Sequence, residues 1–223
     1  MLQSSAIEAE MVGGKRFYST PAGVKVPSVT TVLGAINAKG IAEWRARVGE
    51  ERANQISQQA SSRGTKVHSI AEQYVLNNPK YAAKVMPSHL EMFNAIKHLL
   101  DRHVNTIYGC EIGLYSTELM MAGRCDLICD WKGRPTIVDF KTASKPKSAD
   151  YIRTYFLQVA AYATMCNELY GTNINHYAIL IATEHDGAQV FEGTLDRHRH
   201  DLLEYLKETN HVESVRNQQQ AAC

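Results

Sequence analysis

The sequence has no excess of charge of either sign, because 24 lysines and arginines nearly balance 23 aspartates and glutamates. A protein that grips a polyanion through bulk charge carries a clear basic excess. The composition therefore argues against binding of that kind, and any basic surface has to be local.

Cysteines are few, five in all, and they form no paired C-x-x-C pattern. An odd number without closely spaced pairs argues against both a disulfide framework and a zinc site. Cys125 and Cys129 are predicted to be small buried apolar residues. A reducing compartment fits this usage best.

Long apolar runs are missing as well, and no stretch approaches the roughly 18 uninterrupted apolar residues of a membrane span. The first 15 residues contain Glu8 and Glu10 and resemble neither a signal peptide nor an Arg-rich transit peptide. We therefore expect no membrane partner and a cytoplasmic location, in a bacterial or phage-infected cell.

Hydrophobic periodicity predicts helices on both sides of a central group of strands. Helical spacing is found in residues 41–78 with a break near Gly64, and again in residues 87–103, 150–170 and 196–215. Extended runs cover residues 111–118, 123–131 and 136–141, followed by residues 176–183 and 189–192. The first three strands are predicted to form an antiparallel meander and the last two a hairpin. This order favours an α+β layer sandwich.

A chain of 223 residues is long enough to bury one substantial core, so a single domain is expected. Residues 1–60 are predicted to form an N-terminal lead-in and helical region, and residues 61–215 the core. Residues 216–223 are polar and are predicted to be a disordered tail.

Three charged residues stand out among those in the predicted strands, where charge is costly to bury: Asp126, Asp139 and Lys141. Asp139 and Lys141 are two residues apart, so their side chains project from one face of their strand. If the strand of Asp126 pairs with it, two carboxylates can converge on a hard cation such as Mg²⁺. The alternative is an ordinary ion pair, with Asp126 in a turn.

Residues 123–126, 137–142 and 158–162 match, in order, the G-x-x-D, hydrophobic-D-x-K-T and Q-x-x-x-Y elements of RecB-like nucleases. Residues 63–68 are similar to the R-G-T-x-x-H element of the same family. The chain thus resembles the PD-(D/E)xK nuclease superfamily. Residues 27–34 and 141–147 look most like the mitochondrial genome maintenance exonuclease branch and its phage relatives.

The resemblance implies a restriction-endonuclease-like core, in which a mixed sheet of the meander and two further strands is flanked by helices. It implies Asp126, Asp139 and His68 as metal ligands for Mg²⁺ or Mn²⁺, and Lys141 as the catalytic lysine. It also implies that Gln158 orients the lysine or touches substrate. Tyr162 and Arg63 are assigned to substrate binding.

For each of the other candidate residues, an alternative without a role in catalysis or binding is also open. His68 has Glu72 one helical turn away and could be an ordinary helix histidine. Gln158 and Tyr162 share a helix face and could simply pack on the sheet. Glu118 is a candidate third carboxylate or a surface residue. Lys145 and Lys147 are candidates for phosphate contact or for plain solvation.

We therefore expect a metal-dependent exonuclease that hydrolyses phosphodiester bonds of DNA, with single strands cut from free ends. Its expected role is in DNA replication, recombination or degradation, with proteins of those processes as possible partners. No iron–sulfur cluster is expected, because the cysteine pattern of cluster-containing relatives is missing. The alternatives are a structure-selective endonuclease of the same fold and a non-catalytic DNA-binding module.

Overall fold

The computed structural model describes residues 1–220. An N-terminal group consists of β1 (Glu8–Val12), β2 (Lys15–Ser19), β3 (Lys25–Pro27), α1 (Val29–Gly34) and α2 (Ala38–Val48). The next elements are α3 (Glu50–Val75), α4 (Pro87–His103), β4 (Val104–Ser116), β5 (Met121–Trp131) and β6 (Arg134–Ala143). The last are α5 (Arg153–Tyr170), β7 (His176–Thr183), β8 (Ala188–Thr194), α6 (Asp196–Glu208) and α7 (His211–Gln220).

The central sheet has five strands in the order β4-β5-β6-β7-β8. All neighbouring pairs are antiparallel except β6 and β7, which are parallel. A parallel pair needs a crossover connection, and α5 provides it. The predicted α+β fold, with a three-stranded meander joined to a two-stranded hairpin in one mixed sheet, is confirmed.

Helices cover both faces of this sheet, and each face has its own apolar cluster. One cluster joins α5 and α6 to side chains such as Ile128, Ile137 and Ile179. The other joins α3 and α4 to side chains such as Leu127, Val138 and Leu180. Adjacent strand residues thus alternate between the two clusters, which explains why the central strands read as nearly continuous apolar runs.

Helix α4 shows how the sequence specifies this packing. Pro87 stands at its first position, where a missing N–H costs nothing. Its buried residues are Met92, Phe93, Ile96 and Leu100, at three- and four-residue spacing, and they form one apolar stripe. Burying each such side chain stabilises the fold by about 1.5–3 kcal/mol.

The predicted helix break near Gly64 is wrong. Helix α3 runs without interruption from Glu50 to Val75, and the break lies at Gly49, which has φ +86°. Gly64 lies against β6, where an added Cβ would be 3.7 Å from the Thr142 hydroxyl oxygen. A glycine within a helix can therefore mark a close approach between elements instead of an end.

The N-terminal residues of the predicted lead-in contain a small three-stranded sheet, β1-β2-β3. Ser28 forms a bridge with Ala122 of β5, and Tyr18 and Val26 pack in a cluster with Met120. This sheet therefore lies against the end of β5 that β6 does not reach.

The C-terminal expectations are also corrected. The predicted helix over residues 196–215 is divided into α6 and α7, because Asn210 takes a positive φ of 48° between them. Residues 216–220 belong to α7 instead of a disordered tail, since Val215 is buried and the Gln219 amide donates to the Lys25 carbonyl oxygen. Residues 221–223 lie outside the described part of the chain. Within residues 1–220, no helix is long and apolar enough to cross a membrane.

Candidate active site

The candidate site lies where β5 and β6 stop pairing. Their register runs from Trp131 opposite Arg134 to Leu127 opposite Val138. Beyond it, the Asp126 side chain takes over the role of a backbone acceptor, since its Oδ2 atom accepts the N–H of Phe140 at 2.8 Å. The predicted pairing of these two strands is thus present, and it fixes the Asp126 carboxylate beside β6.

Asp139 and Lys141 lie on one face of β6, as their spacing predicts. Asp139 is only 1 % exposed, and the Lys141 ammonium contacts its Oδ2 atom. The ammonium also lies 5.1 Å from the centroid of the Tyr155 ring. The Asp139 Oδ2 atom is therefore paired with the Lys141 ammonium in a buried ion pair.

The protonation of the site follows from burial and from the close charges. Burial and the charge of Asp126 raise the pKa of Asp139, against the opposing effect of Lys141. Burial acts on Asp126 in the same sense, but His68, Lys141 and the Phe140 N–H together outweigh it and hold the pKa of Asp126 below its ordinary value. For Lys141, the two carboxylates overcome burial and raise its pKa, so the ammonium stays charged.

Helix α5 supplies two polar side chains to the site, and both face it as the motif implies. The Gln158 amide donates to Asp139 Oδ1 at 3.1 Å and lies 3.5 Å from the Tyr162 hydroxyl. Tyr162 is buried, and a Cβ at Gly123 would lie 2.9 Å from its ring. The glycine of the G-x-x-D element therefore makes room for the tyrosine of the Q-x-x-x-Y element.

His68 reaches the site from α3. Its Nδ1 atom lies 3.5 Å from Asp126 Oδ2, and its ring meets Phe140 edge-on. Burial would lower the pKa of His68, but Asp126 more than offsets this and raises it. Glu72 lines the same cleft and makes no hydrogen bond with His68 within the described chain.

Glu111 is a site residue that the sequence interpretation missed. On β4 it lies between Cys110, which pairs with Leu127, and Ile112, which pairs with Cys125. Its φ of +52° is unusual for a strand residue other than glycine. Cys110 and Ile112 pack on opposite faces of the sheet, so the strand changes face at Glu111. Its carboxylate is thereby brought next to Asp126.

Burial raises the pKa of Glu111 to about 7, and the charges of Asp126 and Glu72 add to this effect. Only the backbone conformation of Glu111, which does not show in the pattern of apolar residues, could have revealed its place.

Four other predicted residues lie outside the cleft. Glu118 is exposed in the turn between β4 and β5 and is not among the grouped ligand atoms. Arg63 pairs with Glu184 and lines a second cavity between α3 and α4. Lys145 and Lys147 are exposed in the loop after β6. The third carboxylate is therefore Glu111 instead of Glu118, because the turn carries Glu118 away from Asp126.

The donor set suits a hard divalent cation. Ligand atoms of His68, Glu111 and Asp126 all lie within 4.8 Å of one another. Carboxylate oxygens are the ligands that Mg²⁺ prefers, and an imidazole nitrogen extends the choice to Mn²⁺. Asp139 lies outside this group, and its two carboxylate oxygens contact Lys141 and Gln158. These residues fit the metal ions that the sequence predicts.

The cleft around these residues has a volume of about 660 Å³. Against this geometry, a family model described as the PD-(D/E)XK nuclease superfamily matches residues 41–223. The chain belongs to this superfamily. The resemblance that the ordered motifs suggested is confirmed at this level, and a divalent-metal nuclease is the class of protein that the superfamily comprises.

The named relatives match this chain over only part of their own length. Mitochondrial genome maintenance exonuclease 1 of Xenopus tropicalis is 24% identical over 184 residues, which are 77% of this chain and 52% of that protein. The Homo sapiens protein of the same name is 25% identical over 156 residues, 64% of this chain and 44% of that protein. The chain thus spans about half the length of the curated relatives it matches.

Among solved structures, a protein from Eubacterium rectale described as an exonuclease matches with a TM-score of 0.46 and 13% identity. The match covers 70% of this chain and 68% of that one.

Proposed function

We propose that this chain is a metal-dependent exonuclease that hydrolyses phosphodiester bonds of single-stranded DNA from free ends. The observation that carries the proposal is the convergence of Asp126, Asp139 and Lys141, with ligand atoms of His68 and Glu111 within 4.8 Å of Asp126. A purely structural ion pair between Asp139 and Lys141 would not need Asp126 beside it, because a second buried carboxylate adds a charge that is costly to bury.

The residues divide the work of hydrolysis as follows. Asp126, Glu111 and His68 would hold a divalent cation, with Asp139 beside them. When bound, such an ion acts as a Lewis acid on the phosphate and lowers the pKa of a bound water. Lys141, charged and backed by the Tyr155 ring, offers a positive charge to the phosphate oxygens or positions the attacking water. Gln158 holds the Asp139 carboxylate in place.

Two observations support single-stranded DNA as the substrate. The named relatives are exonucleases of genome maintenance. The near-neutral net charge also suits a single strand better than a duplex held by bulk charge. We further propose that residues 1–223 form one nuclease domain with its core in residues 61–215. A role in replication, recombination or DNA degradation belongs to the same proposal, and the location in a bacterial or phage-infected cell stays a prediction.

The test is digestion of linear single-stranded, linear duplex and circular single-stranded DNA with Mg²⁺ or Mn²⁺. We expect loss of the linear single strand alone, and a drop on the order of 10²-fold or more for Lys141→Ala, by analogy with the removal of other charge-stabilising groups. Lys207→Ala, an exposed lysine on α6, is the matched control and keeps full activity. Cutting of the circle would indicate an endonuclease, and failure to cut any DNA would favour a binding module.

A further inference from the structure

Two arginines stand on the rim of the active-site cleft. Arg16 of β2 and Arg124 of β5 both line the cavity that contains Asp126 and Lys141. Both are exposed, and within residues 1–220 neither guanidinium group has a hydrogen-bond or ion-pair partner. Other arginines of the chain do have such partners, as Arg45 has with Glu50 and Arg63 with Glu184. The rim therefore carries two cationic groups without acidic partners.

The fold brings these two side chains to the same opening. The Arg16 carbonyl oxygen accepts the N–H of Ser28 at 2.8 Å, and Ser28 forms a bridge with Ala122 on β5. Arg124 lies two residues further along β5. The N-terminal sheet occupies the edge of β5 that β6 leaves free, so Arg16 approaches the cleft from a segment that precedes the residues of the family match.

The charge of the cleft explains why such groups are needed. Its floor carries Asp126, Glu111 and Glu72, which repel a polyanionic strand. Lys141 is engaged with Asp139 and can serve only the phosphate that reacts. Arg124 is close enough to act on Glu111, where its charge opposes the rise in the pKa of that carboxyl. A guanidinium group offers a rigid fork of donors that matches phosphate oxygens.

We propose that Arg16 and Arg124 form a phosphate-binding subsite, which holds backbone phosphates of the DNA strand next to the phosphate that is cut. This proposal rests on the function proposed above and names how the strand is held. The subsite keeps the strand over an acidic floor that would otherwise reject it. It also gives the N-terminal sheet a part in binding.

The test uses the full chain with Asp139→Asn, which blocks cleavage, and a short single-stranded oligonucleotide with hydroxyl groups at both ends. Affinity is measured over a range of salt concentrations. We expect Arg16→Gln and Arg124→Gln each to weaken binding about tenfold, which is the size of a charged hydrogen bond. For both together, the slope of log affinity against log salt is expected to fall by about 1.4, since each phosphate contact contributes about 0.7 for single strands.

Arg102→Gln with Arg134→Gln is the matched control, because both residues are exposed and lie outside the cleft. Replacement by lysine keeps the charge, and we expect it to recover part of the affinity. Rim variants that bind like the control, in a protein that otherwise binds and cuts DNA, overturn this inference alone. A wild-type protein that neither binds nor cuts DNA with either metal overturns the proposed function as well.

Discussion

The backbone at Glu111 is the unusual feature of the site at the scale of single residues. A non-glycine residue with φ near +52° is strained, and such strain tends to persist at functional sites where the surroundings enforce it. Here the strain lies where β4 changes face, and its effect is to place a third carboxylate beside Asp126. The position of Glu111 therefore has a chemical consequence as well as a structural one.

Replacement of Glu111 by glutamine tests this consequence directly. The change keeps the size of the side chain and removes one negative charge from the group of His68, Glu111 and Asp126. We expect the affinity for Mn²⁺, measured by calorimetry on the protein without DNA, to fall by at least the roughly 10–100-fold that is typical when a group that only supports a metal ligand is changed. Glu118→Gln is the control, because Glu118 is exposed in a turn. Equal affinities in the two variants would remove Glu111 from the site.

Sequence patterns predicted those site residues whose positions depend on strand or helix periodicity. Asp139 and Lys141 share a face because strands alternate, and Gln158 and Tyr162 share one because they are a helical turn apart. These patterns do not predict Glu111 as a site residue, because its position depends on a local irregularity of β4. The motif assigns Arg63 to substrate binding, and no sequence pattern shows that Glu184, 121 residues away in sequence, pairs with it.

At the scale of secondary structure, helix α3 shows the limit of a glycine as a signal. Gly49 and Gly64 both stand in polar surroundings, and sequence alone favoured the second as the break because serines precede it. The structure ends α2 at Gly49, where φ is +86°, and continues α3 through Gly64. The packing of α3 on β6 overrides the low helix propensity of Gly64, which tertiary contacts commonly do.

Two alanine substitutions distinguish these glycines. Gly49→Ala forces a Cβ into a conformation that side chains rarely adopt, so we expect a loss of about 1–3 kcal/mol in the free energy of unfolding. Gly64→Ala meets only an ordinary contact at Thr142, so we expect a gain of about 0.5–1 kcal/mol from the lower entropy of the unfolded chain. Chemical denaturation measures both. The opposite order would mean that the helix breaks at Gly64 after all.

The number of strands, their order along the chain and the helices around them followed from periodicity, since each element buries one regular stripe or face. The packing of the N-terminal strands against β5 and the division between α6 and α7 did not. The bridge from Ser28 to Ala122, which joins this region to β5, links residues about 90 apart in sequence, a distance over which periodicity carries no information.

For the molecule as a whole, the buried carboxyl groups of the site lower the free energy of unfolding when they are charged. Glu111 and Asp139 both have raised pKa values, because burial and neighbouring carboxylates disfavour their charged forms. A carboxyl whose pKa is raised on folding keeps its proton in the folded chain when the unfolded chain has already lost it. The metal-free protein therefore loses stability as the pH rises from the pKa of these carboxyls in the unfolded chain to their pKa in the folded chain.

Glu111 gives the interval its limits, since the pKa of its carboxyl is 4.5 before folding and about 7 afterwards. Below pH 4.5 both states hold the proton, and above pH 7 the folded state bears the full cost of the charge. We expect Glu111→Gln, in EDTA, to unfold at a higher temperature than the wild type at pH 8. The advantage is expected to shrink steadily as the pH falls from 7 to 4.5.

The size of this effect follows from the pKa difference, reduced because Glu111 is partly exposed to solvent. Each kcal/mol shifts the melting temperature of a domain of this size by roughly 2–4 °C, so a difference of several degrees is expected at pH 8. Mn²⁺ is expected to reverse the order, since an ion that binds only the folded state stabilises the wild type more than a variant with weaker affinity. A difference in melting temperature that stayed constant with pH would show that Glu111 acts through packing and not through its charge.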